Sequence, residues 1–171
     1  MEVYGEFWPV LATTFGIFLL VGFFAQLIDG AVGMAYGVIS SSVLLAFGVP
    51  PAQVSATIHA AECFTTGASG ASHMIHRNVD WKLFWRLAPA GVVGGVIGAY
   101  LLTGFDPTFI KALVVAYLGL LGVFMLSRAV RGPKEEPPHL KHVVPVGVAG
   151  GFLDASGGGG WGPIVTSTLL G

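Results

Sequence analysis

The chain has 171 residues, of which 54% are apolar and 10% are charged, and its mean hydropathy is +0.78. A soluble domain typically has about 25% charged residues, so eight basic and nine acidic residues cannot cover one of this size. The net charge of −1 and the absence of a basic stripe exclude a nucleic-acid partner, and one cysteine excludes a disulfide framework within the chain. The composition predicts a protein of the lipid bilayer.

The apolar segments are separated by two short basic stretches. Seven of the eight basic residues lie in residues 77–86 and 128–141. Basic loops favour the cytoplasmic side, which places both stretches there and the N-terminus outside. Helices satisfy their own backbone groups in lipid, so we predict an all-α integral membrane protein. Its apolar segments lie at about 8–28, 31–48, 52–76, 86–103, 108–127, 143–154 and 161–171.

An internal repeat relates the two ends of the chain. Residues 22–46 align without a gap on residues 147–171, at an offset of 125 positions and with eight identities. The shared frame is an aspartate, Asp29 or Asp154, followed by glycine four residues later and then by an aromatic residue and a second glycine. The first copy begins outside and the second begins in the cytoplasm. The sequence therefore predicts an inverted repeat, which is a common plan of secondary transporters.

The repeat also divides the chain. We predict a first transmembrane repeat in residues 1–127, a cytoplasmic linker in residues 128–142 and the start of an incomplete second repeat in residues 143–171. Two complete units of this size need about 250 residues. We therefore expect either that the chain is a fragment or that another chain supplies the missing half.

Glycine-rich stretches follow the aspartate in both copies, and the second copy has four consecutive glycines. Such a run forms a poor helix, so we predict broken or re-entrant helices whose free N–H groups bind an anion near the midplane. The alternative is close packing of helices through glycine. The predicted substrate-binding residues are Gly30, Gly33, Ser40, Ser41, Ser156, Gly157, Gly158, Gly159 and Gly160.

Two aspartates, Asp29 and Asp154, stand just before these stretches. An acid inside the membrane is costly and usually functional, which makes both aspartates candidates for coupling transport to a proton or cation. The alternative is that each caps the half-helix that follows it, an ordinary use of aspartate. The two roles are compatible.

Segment 52–76 carries polar groups at helical spacing. His59, Glu62, Thr66 and His73 fall near one face of a helix, and His59 with Glu62 is predicted to relay a proton. The alternative is a buried pair that only packs helices. Glu62 and His73 are about 16 Å apart along a helix, so one metal ion cannot bridge them and no metal site is predicted.

Several of these features together resemble the TauE/SafE sulfite exporter family. They are the paired Asp-Gly motifs, the Asn78-Val79-Asp80-Trp81-Lys82 loop and the small residues of Gly91–Ala99. The resemblance covers essentially the whole chain and is strongest at Gly147–Leu170, whereas residues 32–35 depart from the family's glycine run. It implies a multi-pass transporter of the cell membrane that moves sulfite, sulfonates or other small sulfur-containing anions.

Three functions compete. A secondary transporter of small anions is favoured, and a cation or metal permease using Asp29, His59, Glu62 and Asp154 is the alternative. The third is a membrane-embedded enzyme or a structural subunit, and no compact oxyanion-hole motif accompanies Cys63 to support an enzyme. No cofactor and no ATP-binding loop is predicted. The expected partners are the bilayer and a small anionic substrate, and a homo-oligomer is compatible with the sequence.

Overall fold

The computed structural model describes residues 2–32, 35–131 and 142–169. These parts of the chain are helical and contain no strand, which confirms the all-α prediction. The helices are α1 (Glu2–Val32), α2 (Tyr36–Ala46), α3 (Pro51–Ile75), α4 (Trp81–Gly104), α5 (Pro107–Arg131), α6 (Val143–Gly157), a π-helical segment (Trp161–Thr166) and a final turn, α7 (Ser167–Leu169).

Three of the described helices have the length and apolar composition to cross a membrane, for which about 20 residues are needed. These spans are Ala12–Ala31 within α1, Trp81–Gly104 and Pro107–Ser127. Helix α3 is as long but more polar, and α2 and α6 are apolar but shorter. Large apolar side chains cover the outside of the bundle; Leu120 is 72% exposed and Val96 is 65% exposed. Such a surface suits a lipid environment.

Short polar caps set the ends of the helices. The Asp80 carboxylate accepts the N–H groups of Lys82 and Leu83 at 2.9 and 3.1 Å and so begins α4. Asp106 caps α5 in the same way, through two N–H groups at 2.9 and 3.2 Å. Pro51 occupies the first turn of α3, where its missing N–H has no consequence. The loops are therefore short and specified locally.

Glycines bring α4 and α6 into close contact. An added Cβ at Gly94 or Gly98 would overlap a carbonyl oxygen of α6, and one at Gly151 would overlap the carbonyl oxygen of Gly91. Small residues allow membrane helices to approach in this way. The interface holds α6, and therefore the glycine run that follows it, against the first five helices.

An apolar core lies beside this interface, between α2, α3 and α5. Its buried members are Val38, Leu45, Val54, Ile58, Leu102, Ile110, Val114, Leu118 and Leu121. Ile58 and Val54 are almost completely buried, so they anchor one face of α3. The more polar face of the same helix is thereby turned towards the two glycine-rich stretches.

Candidate functional site

The helices are interrupted at both glycine-rich stretches. In the first copy α1 ends at Val32 and α2 begins at Tyr36, and in the second α6 ends at Gly157 and helix resumes at Trp161. Gly158 has a φ of 70°, in the left-handed region that favours glycine. Each interruption lies a few residues after the aspartate of its copy. Gly33, predicted to bind substrate, lies outside the described residues.

An aspartate caps the helix that follows each break. Asp29 Oδ1 accepts the N–H groups six and seven residues further along, those of Ala35 and Tyr36, at 2.7 and 2.9 Å. Asp154 Oδ1 accepts the N–H groups at the same two spacings, at 2.8 and 3.0 Å. The hydrogen bonds of the two copies thus correspond at the 125-residue offset. The capping role holds for both aspartates, and the first donors of each half-helix already bind a carboxylate of the protein.

The second oxygen of Asp154 faces His59 of α3. Asp154 Oδ2 lies 3.2 Å from His59 Nε2, and His59 Nδ1 lies 2.7 Å from the carbonyl oxygen of Ser55. Because a carbonyl oxygen only accepts, Nδ1 carries a proton. A hydrogen bond on the other side needs one further proton between Nε2 and Oδ2. The pair therefore shares one proton and is neutral as a unit.

A second contact ties α3 to α6 at the same level. Ser55 Oγ donates a 2.6 Å hydrogen bond to the carbonyl oxygen of Ala155, the residue after Asp154. This bond satisfies a carbonyl near the end of α6, where no partner within the helix is available. The position of His59 relative to the break is therefore fixed by two neighbouring interactions.

Glu62 completes a cluster of three ionisable side chains. One ring nitrogen of His59 and one carboxylate oxygen from each of Glu62 and Asp154 lie within 4.8 Å of one another. His59 and Glu62 lie on one face of α3, and Asp154 of α6 is the third member of the cluster. Nitrogen and carboxylate oxygen at this spacing suit a shared proton or a bound cation. The sequence argument against a metal site considered spacing within one helix, whereas the third member of this cluster comes from α6.

A cavity of about 540 Å³ joins both breaks to the polar face of α3. Asp29, His59, Glu62 and Asp154 all line it, and no lysine or arginine of the described residues does. The described residues that line it are Gln26, Asp29, Tyr36, Gly37, His59, Glu62, Cys63, Thr65, Thr66, Ser69, Asp154, Gly159, Trp161, Gly162 and Pro163. The four predicted coupling residues are therefore brought together, from α1, α3 and α6.

Most of the predicted substrate-binding residues lie elsewhere. Gly159 lines the cavity, but Gly30, Ser40, Ser41, Ser156, Gly157, Gly158 and Gly160 do not. Ser41 Oγ donates to the carbonyl oxygen of Gly158 at 3.3 Å, and Ser156 Oγ donates to its own helix at 2.8 Å. The physical reason is that the glycine run packs closely against its neighbours and its polar groups are used within the protein.

Other residues at this site were not singled out from the sequence. Gly37 and Gly162 line the cavity and correspond at the 125-residue offset, so the alignment itself carried the signal. Tyr117 of α5 lies where a Cβ on Gly157 or Gly160 would be, and its hydroxyl is buried. No local pattern marks Tyr117, because its importance depends on how α5 packs against the break.

Interrupted helices around a polar cavity, within a bundle of apolar helices, form the architecture of secondary membrane transporters. The family model described as sulfite exporter TauE/SafE matches residues 18–171. The chain belongs to this TauE/SafE family of membrane transporters, as the sequence motifs had indicated.

The chain is 44% identical over 160 residues to the probable membrane transporter protein YtnM of Bacillus subtilis (strain 168). The match covers 90% of this chain and 53% of that protein, so the chain spans about half the length of the curated relative. No solved structure matches the chain.

Proposed function

We propose that the chain belongs to a secondary transporter of the cell membrane for small anions, with sulfite, sulfonates or related sulfur-containing anions as the substrate class. The observation that carries the proposal is the cavity between the two capped helix breaks, in a chain of the TauE/SafE family. In the proposal the two repeats are inverted and the breaks lie near the midplane, where such transporters bind their substrates.

The proposed anion contacts are the backbone N–H groups of Gly37 and Gly162. Both glycines line the cavity and occupy equivalent positions in the first turn of their helices. N–H groups of a first turn have no acceptor within their own helix, and they lie at its positive end. Asp29 and Asp154 accept hydrogen bonds from the preceding N–H groups, those of Tyr36 and Trp161. An anion can therefore use the next donors without displacing either cap.

Coupling follows from the charges around the cavity. Asp29, Glu62 and Asp154 are acidic, and among the described lining residues His59 is the one basic side chain. An added anion would be repelled unless positive charge accompanies it. Protons that bind to these side chains supply that charge, and they lower the free-energy cost of placing charge in a low-dielectric environment. We assign the four residues to this coupling.

Cys63 provides a direct test, because it is the chain's single cysteine, is exposed and lines the cavity. Alkylation of Cys63 by a maleimide should slow when methanesulfonate or isethionate occupies the cavity. Sulfonates serve better than sulfite here, since sulfite is a nucleophile and consumes the reagent. A matched control moves the thiol by one residue: in the double variant Cys63→Ser, Phe64→Cys, the new cysteine replaces a side chain that is 83% exposed and outside the cavity lining.

The expected result is sulfonate protection of Cys63 but not of a cysteine at position 64, together with uptake or efflux of labelled sulfite in liposomes. Absence of both protection and transport would refute the proposal. A cation or metal permease is the second candidate, favoured by the spacing of His59, Glu62 and Asp154. It predicts the reverse selectivity, in which divalent cations protect Cys63 and are transported and sulfonates do neither.

A further inference from the structure

His59 is the lining side chain that can carry a full positive charge into the cavity. Within residues 2–32, 35–131 and 142–169, neither lysine nor arginine lines the cavity. We propose that His59 is the residue that contacts the substrate anion, and that the anion binds by replacing the Asp154 carboxylate on His59 Nε2. The inference rests on the proposed anion transport and names the side chain that recognises the substrate.

The imidazole is already oriented for such an exchange. Its Nδ1–H is held by the carbonyl oxygen of Ser55 at 2.7 Å, which leaves Nε2 as the atom that faces Asp154 beside the cavity. The side chain is 36% exposed, so the ring is accessible from the cavity while its other nitrogen stays anchored. A substrate oxygen that reached Nε2 would meet a fixed donor and would not have to order a mobile side chain.

The contact with Asp154 is one that an anion can replace. Hydrogen bonds between an imidazolium and a carboxylate are commonly about 2.7–2.9 Å long, whereas this contact is 3.2 Å. Asp154 also keeps its two backbone N–H bonds, to Gly160 and Trp161, through its other oxygen. Loss of His59 would therefore leave the carboxylate with partners and the break capped. The exchange breaks one hydrogen bond and forms one of the same kind.

The surroundings of His59 give the exchange a pH dependence. The titratable groups that face it or its partner are Asp154 from α6, Glu62 and Cys63 from α3, Asp29 from α1, Tyr36 from α2 and Tyr117 from α5. Because Nδ1–H is held by Ser55, Nε2 can donate to an anion only when the imidazole is protonated, and protonation of the nearby carboxylates removes repulsion. Both effects have the same sign, so sulfonate binding should strengthen as pH falls.

The experiment measures sulfonate protection of Cys63 in the full chain between about pH 6 and pH 9, with each rate normalised to that variant's own rate without ligand. His59→Gln should weaken sulfonate binding at least about tenfold, since a charge-assisted hydrogen bond is lost. His59→Lys should retain more binding than the wild type at the alkaline end of this range, because a lysine ammonium titrates at higher pH than an imidazole. His73→Gln is the matched control, since it lies on the same helix outside the cavity lining, and it should resemble the wild type.

Asp154→Asn separates recognition from a structural role. The amide oxygen can still accept the N–H groups of Gly160 and Trp161, but the charge that competes for His59 is gone. We expect Asp154→Asn to bind sulfonate several-fold more tightly than the wild type. A purely structural pair predicts that His59→Gln and Asp154→Asn weaken binding alike. If His59→Gln fails to reach the membrane, His59→Lys and Asp154→Asn still decide the question.

The two proposals fail in different ways. Sulfonate protection of the wild type that is equal in His59→Gln would overturn the role of His59 and leave anion transport standing. Weaker sulfonate binding in Asp154→Asn would overturn the exchange. Protection by Zn²⁺ with no protection by sulfonate at any pH would remove the anion function itself and, with it, this inference.

Discussion

The aspartate caps give the sharpest test of how the breaks are stabilised. Asp154 Oδ1 accepts two backbone N–H groups, those of Gly160 and Trp161, in a part of the chain where both glycine and aspartate are largely buried. Asp154→Ala removes the acceptor and leaves both donors without it. Loss of a helix cap costs about 0.5–2 kcal/mol, and an unsatisfied buried donor costs about 1–3 kcal/mol. We expect Asp154→Ala to lower the free energy of unfolding by about 2–4 kcal/mol.

Asp154→Asn is the matched control for this loss. Its side-chain oxygen can accept the same two N–H groups, so only the charge and the contact with His59 change. A surface ion pair contributes about 0–1 kcal/mol, and this pair, whose side chains are 36% and 19% exposed, should contribute little more. Asp154→Asn is therefore expected to lose less than about 1.5 kcal/mol. Asp29→Ala and Asp29→Asn should show the same contrast in the first copy.

Equilibrium unfolding of purified protein in mixed micelles, followed by tryptophan fluorescence, would measure these differences. Trp161 reports directly on the second break because its own N–H is one of the two capped donors. If Asp154→Ala unfolds as the wild type does, the caps do not stabilise the breaks. If Asp154→Asn loses as much as Asp154→Ala, the charge rather than the N–H acceptor is what matters.

Three further predictions follow from packing, charge and topology. Gly94→Ala should lower stability by about 1–3 kcal/mol in a thermal aggregation assay, because its Cβ would overlap a backbone carbonyl of α6, whereas Gly95→Ala should be tolerated, because the nearest atom is 3.8 Å away. Glu62→Gln should weaken proton-driven uptake at unchanged membrane abundance; an unaltered pH profile would exclude Glu62 from coupling. Cysteines replacing Lys82 and Lys134 should react with an impermeant reagent from the same, cytoplasmic face, and reaction from opposite faces would rule out the inverted repeat.

Much of the fold could be predicted because a helix that crosses a lipid bilayer needs a long, mainly apolar segment, which is visible in the sequence. Apolar segments at 86–103 and 108–127 correspond to α4 and α5, whose structural bounds are Trp81–Gly104 and Pro107–Arg131. The extra residues at the helix starts come from Asp80 and Asp106, which cap from polar loops that a hydropathy pattern does not include. Hydropathy therefore locates a span, and capping residues decide where its helix begins.

The site was only partly predictable. The spacing within α3 placed His59 beside Glu62, but His59 and Asp154 are 95 positions apart in the sequence, and no local pattern signals their contact. The role of each glycine could not be predicted from the sequence for a related reason. Gly94 and Gly158 are the same residue type, yet one permits a helix contact and the other adopts a left-handed backbone. Which role a glycine has depends on what packs against it.

The charge of the cavity leads to a last prediction about the driving force. Asp29, Glu62 and Asp154 supply up to three negative charges and His59 at most one positive charge, so a monovalent sulfonate adds to a surplus of negative charge. If a proton accompanies each sulfonate, no net charge moves. Movement of one uncompensated charge is worth about 2.3 kcal/mol at 100 mV, which corresponds to roughly a fifty-fold effect on accumulation. We therefore expect a pH gradient across liposomes to drive sulfonate accumulation, and a potassium diffusion potential of that size to change it less than about twofold. Accumulation that follows the potential and ignores the pH gradient would refute the charge argument, because the substrate would then cross without the proton that these carboxylates require.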